Sequence, residues 1–277
     1  MTRCLHFAGW LLLLGMLSPS SRAADRPVIV AFGDSVTAER GDIEVYPQLL
    51  AKELGFDGGG VTVINAGIGG HTTTMGKRRF RKEVLELNPD VVVIMFGIND
   101  AAVDVWKTPP ATEPRVSLAA YRDNLTTMVR ALKKREVHAV LMTPNPIHWV
   151  ERTRELYGKP PYRPGEVEGF QVFLRNYVAA VREVAAREKV GLVDVCAAFK
   201  EYDASRQGKP GALTPDGMHP ASRGHRIIAD LLIDHLAETD PRFARNPSTA
   251  RDRRDEVDAK HPTAPTALAP DALGGDN

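Results

Sequence analysis

The chain has 277 residues, of which 43% are hydrophobic and 26% are charged, as in an ordinary globular protein. Its 36 Lys and Arg residues almost balance its 35 Asp and Glu residues, so the formal net charge is +1. This balance argues against the strong positive field of a nucleic-acid-binding protein, and we expect no nucleic acid partner.

The first residues have the pattern of an export signal. Arg3 precedes an apolar run over residues 7–17, which is too short to span a bilayer comfortably, and small residues follow it. We predict a signal peptide over residues 1–23, with an uncleaved membrane anchor as the alternative. No cysteine lies at the cleavage site for a lipid to modify. The mature protein is therefore expected to be secreted or periplasmic, without a stable membrane anchor.

Five apolar, β-branched runs predict buried strands. None of them alternates cleanly with polar residues, which is typical of strands that are covered on both faces. The runs are residues 28–32, 61–64, 91–96, 137–142 and 190–195. Segments of helical period cover residues 43–54, 118–135, 170–187 and 227–236. Strands that alternate with helices predict an α/β fold, a three-layer α/β/α sandwich around a five-stranded, mostly parallel sheet.

The last part of the chain differs in composition. Residues 244–277 are rich in Pro, Ala, Thr, Asp and Arg, and they have almost no large apolar side chains. Such a segment buries too little surface to offset the entropy of ordering it, so we predict a disordered tail. The folded domain is then expected over residues 24–243.

Two long, proline-rich connections follow strands of the predicted sheet. They cover residues 101–116 and 144–165. Loops in this position commonly form the walls of active sites, whereas simple surface loops are the plainer interpretation. The aromatic side chains that we consider for substrate binding all lie in these loops: Trp106, Trp149, Tyr157 and Tyr162.

The first predicted strand ends in Gly33-Asp34-Ser35, which places a hydroxyl on a tight turn. In open α/β sheets, ligands bind at the carboxyl ends of the strands. A serine hydroxyl is a weak nucleophile, so it needs a base, a group that orients the base, and donors for the developing oxyanion. The rest of the chain must supply these groups if Ser35 is a nucleophile.

His219 is the candidate base, because it lies in a turn-rich loop just before the last predicted helix. Asp216 precedes it by three residues, and Gly217 lies between them. Such a turn can bring the carboxylate to the Nδ1–H of the ring and leave Nε2 for the serine. His225, in the following helix, is the weaker rival. Taken alone, this spacing would favour an ordinary loop aspartate with a surface histidine.

Candidate oxyanion donors follow the second and third predicted strands. A glycine cluster over residues 67–70 would let backbone N–H groups approach a ligand closely. Asn99 can aim its side-chain amide into the same space, although a turn-forming Asn-Asp pair is an equal alternative. The glycine cluster lacks the Lys-Ser/Thr pair of a phosphate loop, and no H-E-x-x-H spacing occurs, so we expect no metal and no cofactor.

Four blocks together resemble the GDSL/SGNH hydrolase family. They are Gly33-Asp34-Ser35-Val36, residues 65–70, Gly97-Ile98-Asn99-Asp100 and Asp216-Gly217-Met218-His219-Pro220. The resemblance covers about residues 27–237. Val36 departs from the usual Leu or Ile, and Gly67 stands where many members carry Ser. The G-x-S-x-G elbow of the larger α/β-hydrolases is absent, because Thr37 replaces its second glycine.

The resemblance implies a flavodoxin-like SGNH hydrolase fold and named roles for site residues. Ser35 would be the nucleophile, and its backbone N–H one oxyanion donor. The Gly70 N–H and the Asn99 side chain would be the other two donors. His219 would act as general base and then general acid, oriented by Asp216.

We therefore predict an exported serine esterase that acts on short-chain acyl or carbohydrate acetyl esters. The aromatic residues of the long loops favour a carbohydrate ester, because sugar rings stack on aromatic faces. Alternatives within the family are a lysophospholipase or a thioesterase. From a different class, a non-catalytic carbohydrate-binding module is disfavoured, because Ser35, Asn99, Asp216 and His219 are all present.

Overall fold

The computed structural model describes residues 26–55, 60–205, 208–209 and 211–243. The predicted signal peptide and the predicted tail lie outside these described residues. Within the described ranges, none of the helices combines the length and the apolar character needed to cross a membrane.

A five-stranded sheet forms the centre of the fold. Its strands are β1 Val28–Gly33, β2 Thr62–Gly67, β3 Val91–Met95, β4 His138–Met142 and β5 Gly191–Val193. Their order is β2-β1-β3-β4-β5, and every neighbouring pair is parallel. The predicted parallel sheet is confirmed. In this order the connections change direction at β1 and β3, which is where ligands bind in open α/β sheets.

The last strand is shorter than the apolar run that predicted it. β5 ends at Val193, because Asp194 caps the next helix and its carboxylate accepts a hydrogen bond from the Ala197 N–H at 3.1 Å. A capping residue of this kind satisfies a backbone donor that the first turn of a helix leaves free.

Eight α-helices accompany the strands in the described part of the chain. They are α1 Tyr46–Leu54, α2 Thr73–Glu83, α3 Ile98–Ala101, α4 Leu118–Lys133, α5 Glu151–Tyr157, α6 Leu174–Glu188, α7 Val195–Ala204 and α8 Ser222–Thr239. Short 3₁₀ turns lie at Leu85–Leu87 and Pro241–Phe243. The four helices predicted from periodicity correspond to α1, α4, α6 and α8.

The helix α2 has no clear apolar period in the sequence. It is rich in Lys and Arg, and Phe80 is its one large buried apolar side chain. Thr72 caps the start of the helix, and its hydroxyl accepts a hydrogen bond from the Met75 N–H at 3.4 Å. The Thr72 cap and the buried Phe80 ring thus position α2. A search for apolar periodicity detects neither feature.

The sheet is covered on both faces, which completes the three layers. Along β1, Val30 and Phe32 belong to the core beneath α2, α4 and α6. Ile29 and Ala31 point to the other face, where α1 and α8 pack. Successive side chains of a strand point to opposite faces, so a strand buried on both sides must be apolar throughout.

A core substitution tests this packing. Phe80 is 4% exposed, and its ring meets that of Phe32 edge to face with centroids 5.5 Å apart. Phe80→Ala removes buried apolar surface and leaves a cavity, so we expect the free energy of unfolding to fall by about 3–5 kcal/mol. Denaturant unfolding followed by circular dichroism measures this loss. The control Val167→Ala, at a position 87% exposed, should change stability by less than about 0.5 kcal/mol. Equal stabilities of the two variants would contradict the described core.

Candidate active site

Ser35 lies directly after β1, in a turn at the carboxyl edge of the sheet. The turn is closed by hydrogen bonds from the Thr37 and Ala38 N–H groups to the Asp34 carbonyl, at 3.2 and 3.0 Å. A Cβ atom at Gly33 would lie 2.0 Å from the Thr37 hydroxyl oxygen, so only glycine permits this close return of the chain. The turn holds Ser35 partly exposed at the strand end.

Ser35, His219 and Asp216 form one chain of hydrogen bonds. The Ser35 Oγ lies 2.9 Å from the His219 Nε2. The His219 Nδ1 lies 2.9 Å from the Asp216 Oδ2. Because a carboxylate only accepts hydrogen bonds, it favours the tautomer that carries its proton on Nδ1, and Nε2 is then free to accept the serine proton. The structure therefore brings the three predicted residues together in the order that nucleophilic catalysis requires.

Asp216 is held by four donors. Its Oδ1 accepts hydrogen bonds from the backbone N–H groups of Met218 and His219, at 3.0 and 2.7 Å. Its Oδ2 accepts one from the Arg40 Nη2 at 2.6 Å, in addition to the His219 ring. Partial burial opposes ionisation of Asp216, but these donors outweigh it and hold the pKa well below its usual range. Asp216 is therefore a carboxylate at any physiological pH.

Arg40 is a site residue that the sequence reasoning missed. It lies 176 positions before Asp216, and a single arginine in a polar loop shows no pattern that marks it. Its guanidinium partly neutralises the charge of the carboxylate and fixes one of its oxygens.

The rival base His225 lies away from Ser35, inside α8. It is buried, and its Nδ1 accepts a hydrogen bond from the Tyr46 N–H at the start of α1, at 3.3 Å. Burial, reinforced by the positive charge of Arg40, lowers the pKa of His225 to about 4. His225 is thus a neutral residue that joins two helices.

The predicted oxyanion donors lie on two other connections. Gly70 has a φ of +77°, a conformation that favours glycine, and no hydrogen bond engages its N–H in the described residues. A Cβ atom at the neighbouring Gly69 would lie 3.9 Å from the Ser35 Cβ, so this loop passes beside the serine. Asn99 lies in the first turn of α3, and its Nδ2 donates to the His71 carbonyl at 3.2 Å.

Asp34, adjacent to the serine, faces the protein interior. Its Oδ1 accepts a hydrogen bond from the Val36 N–H at 3.0 Å. Complete burial raises the pKa of Asp34 to about 7, and the nearby carboxylate of Asp100 acts in the same direction. Asp34 therefore supports the turn and makes no contact with His219 of the kind that Asp216 makes.

An apolar pocket opens beside Asn99. The space between its lining atoms amounts to about 370 Å³ when the open solvent at its mouth is counted. Its lining residues come from α3, the connection after β4, the start of α6 and the loop that carries His219: Ile98, Asn99, Ala101, Ala102, Ile147, Tyr157, Tyr162, Phe170, Phe173, Leu174 and Met218. Met218 precedes His219, so the pocket adjoins the candidate base as well as Asn99.

The four aromatic residues considered for substrate binding have different surroundings. Tyr157 and Tyr162 are buried in the pocket wall, with their rings edge to face at 5.6 Å. Trp149 stacks on Phe170 at 4.7 Å, and the Arg154 guanidinium lies 5.2 Å from its ring centroid. Trp106 is 47% exposed and does not line the pocket.

The fold is a three-layer α/β/α sandwich, and the family match together with the esterase relatives identifies a carboxylic ester hydrolase. The chain belongs to the GDSL-like Lipase/Acylhydrolase family, whose model matches residues 31–227. The resemblance inferred from the four sequence blocks is therefore confirmed.

Two similar proteins match most of the chain in sequence. The uncharacterized lipoprotein YqeF of Bacillus subtilis (strain 168) is 32% identical over 220 residues, which are 74% of this chain and 88% of that protein. The acetylxylan esterase of Geobacillus stearothermophilus is 32% identical over 200 residues, which are 69% of this chain and 75% of that protein.

Solved structures share the fold. The lipase/acylhydrolase from Enterococcus faecalis superposes with a TM-score of 0.59 at 30% identity, over 77% of this chain and 96% of that chain. The G. stearothermophilus acetylxylan esterase Axe2 superposes with a TM-score of 0.61 at 26% identity, over 76% of this chain and 94% of that chain.

The environment of Asp34 generates a prediction about stability and pH. Its folded-state pKa of about 7 lies above the value of about 4 in an unfolded chain, so folding favours its protonated form. This contribution to stability is fully present below about pH 4 and is lost as the pH rises through about 7.

Asp34→Asn keeps the oxygen that accepts the Val36 N–H and cannot ionise. We expect the variant to gain stability relative to the parent protein as the pH rises from about 4 to about 8, by at most about 1.4 kcal/mol per pH unit. Urea unfolding at several pH values measures the difference between the two proteins. A difference that stays constant with pH would show that Asp34 is not held protonated.

Proposed function

We propose that the protein is an exported serine esterase that hydrolyses carboxylic esters through an acyl-enzyme on Ser35. The observation that carries the proposal is the unbroken chain from the Ser35 Oγ through the His219 ring to Asp216, with 2.9 Å at each link. Export rests on the signal pattern of residues 1–23. The similarity to a lipoprotein is consistent with it.

In the first half of the reaction, the Ser35 Oγ attacks the carbonyl carbon of the ester while His219 Nε2 accepts the serine proton. The tetrahedral intermediate then expels the alkoxide, which takes that proton from His219 and leaves as the alcohol. In the second half, His219 removes a proton from water as the water attacks the acyl-enzyme. Collapse of the second intermediate returns the proton to Ser35 and releases the carboxylic acid. Asp216 stays ionised and stabilises the imidazolium in both halves.

The negative charge of the carbonyl oxygen needs donors in both halves. We assign this role to the N–H groups of Ser35 and Gly70 and to the Asn99 side-chain amide. Donors that are fixed before the reaction stabilise the charge without reorganisation, which is the largest contribution in many enzymes of this type.

The solved structures of Axe2 support these assignments by analogy. They include catalytic mutants of that acetylxylan esterase in which a serine, an aspartate or a histidine is replaced by alanine. The aspartate and the histidine of Axe2 are three positions apart. Asp216 and His219 have the same spacing here.

For the substrate, the site geometry favours esters with a short apolar acyl group. The pocket beside Asn99 is lined almost entirely by apolar and aromatic side chains, which bind a small alkyl or aryl group better than a sugar. Trp149 stacks on Phe170 with the Arg154 guanidinium near its ring, and Tyr157 and Tyr162 are buried, so these three rings present less surface to a sugar than an exposed ring would.

A carbohydrate acetyl ester is the second candidate substrate. It is favoured by the similarity to an acetylxylan esterase and by the exposed ring of Trp106. Acetate release from acetylated xylan, compared with hydrolysis of p-nitrophenyl esters of increasing acyl length, separates the two candidates.

The nucleophile is tested by labelling and substitution. We expect a tagged fluorophosphonate to modify Ser35 and no other residue, and Ser35→Ala to lower kcat by about 10⁴-fold or more. Mass spectrometry of the labelled peptide and a burst assay measure the two effects. Ser205→Ala, at an exposed serine, should label and react like the parent protein. Labelling of a different residue, or full activity of Ser35→Ala, would refute the proposed mechanism. Absence of both labelling and turnover in the parent protein would also refute the mechanism, and would instead indicate a non-catalytic carbohydrate-binding module.

The acyl pocket is tested by filling it. Ala102 lines the pocket and is partly exposed, so Ala102→Leu narrows the space without a large change in the core. We expect kcat/KM for a p-nitrophenyl hexanoate to fall by about 10-fold or more, and that for the acetate to change little. Ala120→Leu, on the exposed face of α4, is the matched control. An equal effect on both esters would show that the acyl group does not enter this pocket.

A further inference from the structure

The orientation of the Asn99 amide is set by an arginine from another part of the chain. The Arg115 Nη1 donates a hydrogen bond to the Asn99 Oδ1 at 3.1 Å. A guanidinium has donors and no acceptor, so the carbonyl oxygen of the amide must face Arg115. The NH₂ group of Asn99 then faces the opposite way, where it donates to the His71 carbonyl at 3.2 Å. Both neighbours therefore require the same orientation of the amide.

Arg115 is itself fixed by a buried carboxylate. Its Nε lies 3.0 and 3.1 Å from the two oxygens of Asp104, and its Nη2 lies 2.7 Å from the Asp104 Oδ1. Asp104 is 3% exposed, and Lys107 supplies a second cation at 2.6 Å. Burial opposes ionisation of Asp104, but its two cationic partners outweigh it and lower the pKa of the carboxyl. A fork of this kind fixes the guanidinium in both position and plane.

The connection between α3 and α4, which carries Asp104 and Arg115, is also anchored to α3. The Arg115 N–H donates to the Ala102 carbonyl at 2.9 Å, and the Val116 N–H donates to the Asp100 carbonyl at 3.2 Å. Asp100, next to Asn99, accepts a hydrogen bond from the Thr73 N–H at the start of α2, at 2.9 Å. The helix turn that carries Asn99 is therefore tied on both sides.

We propose that Arg115, held by Asp104, is a positioning residue that keeps the Asn99 amide aimed at the developing oxyanion. The proposal rests on the proposed function, in which Asn99 is an oxyanion donor. Without Arg115 the Asn99 carbonyl oxygen loses its partner, and only the contact of the NH₂ group with the His71 carbonyl still orients the amide, so its aim at the oxyanion loosens. The cation on Oδ1 also polarises the amide and strengthens its N–H groups as donors. Both effects act on the transition state and leave the ground-state complex almost unchanged.

Arg115→Met removes the guanidinium and keeps an apolar stem of similar length. We expect kcat to fall by about 10²-fold while KM changes by less than about 2-fold, because the lost interaction orients a donor used in the transition state. Titration of the active serine with the fluorophosphonate corrects each rate for the folded fraction. A kcat within about 2-fold of the parent protein would overturn the proposal.

Arg130→Met is the matched control. Arg130 makes a similar two-pronged contact to a buried carboxylate, at 3.1 and 2.9 Å from the Glu188 oxygens. This pair joins the last turns of α4 and α6, at the amino-terminal side of β4 and away from the candidate site. The control should lose stability as Arg115→Met does and keep its kcat.

A double-mutant cycle separates positioning from a general structural effect. Asn99→Ala alone should lower kcat by about 10²–10³-fold. Adding Arg115→Met to Asn99→Ala should cost less than about 2-fold more, because Arg115 acts through the amide that is already absent. A full second loss in the Asn99→Ala background would overturn the proposal, and so would an Asn99→Ala variant of unchanged kcat.

If Arg115→Met fails to fold, Asp104→Asn takes its place in the double-mutant cycle with Asn99→Ala. This substitution weakens the contacts that fix the Arg115 guanidinium and leaves Arg115 in place. The same loss of kcat is expected only when Asn99 is present. The two proposals fail in different ways. Activity that survives Ser35→Ala refutes the proposed function, whereas an inactive Ser35→Ala together with a fully active Arg115→Met refutes only the positioning role.

Discussion

The hydrogen bond between Ser35 and His219 requires that the turn after β1 and the loop before α8 meet at one edge of the sheet. A buried hydrogen-bond network helps to fix the distance between these two segments. His219 lies three residues before α8, and His225 in the first turn of that helix accepts a hydrogen bond from the Tyr46 N–H of α1. The Tyr46 hydroxyl lies 3.0 Å from that of Thr37, in the turn that carries Ser35. The packing of α1 against α8 on one face of the sheet thus helps to set the distance between Ser35, the proposed nucleophile, and His219, the proposed base.

Two aspartates show how surroundings, and not residue type, decide a role. Asp216 has four donors around it and is ionised, whereas Asp34 has one backbone donor and complete burial, with a pKa of about 7. The carboxylate that can stabilise an imidazolium is the one that keeps its charge near neutral pH. This difference supports the assignment of the orienting role to Asp216 and not to Asp34, the neighbour of the serine.

The sequence predicts what depends on local pattern. Apolar runs located all five strands, and the Asp-x-x-His spacing located the candidate base with its partner. Contacts between distant side chains carry no such pattern. Arg40 lies 176 residues from its partner Asp216, and Arg115 lies 16 residues from its partner Asn99. No pattern in the neighbouring sequence marks either arginine. The burial of Tyr157 could not be predicted from the sequence either, because a proline-rich loop can carry aromatic residues on its surface or in its interior.

The aromatic wall of the pocket belongs to the connection between β4 and α6, where Trp149, Tyr162 and Phe170 pack against one another. The proposed nucleophile, base and oxyanion donors lie on other connections. Under the proposed function, the aromatic wall beside the acyl group is thus largely separate from the groups that carry the chemistry, although Asn99 belongs to both. If the pocket binds the acyl group as proposed, exchange of that one segment between family members would change the acyl preference while Ser35, His219 and Asp216 stay where they are, and natural divergence can follow the same route.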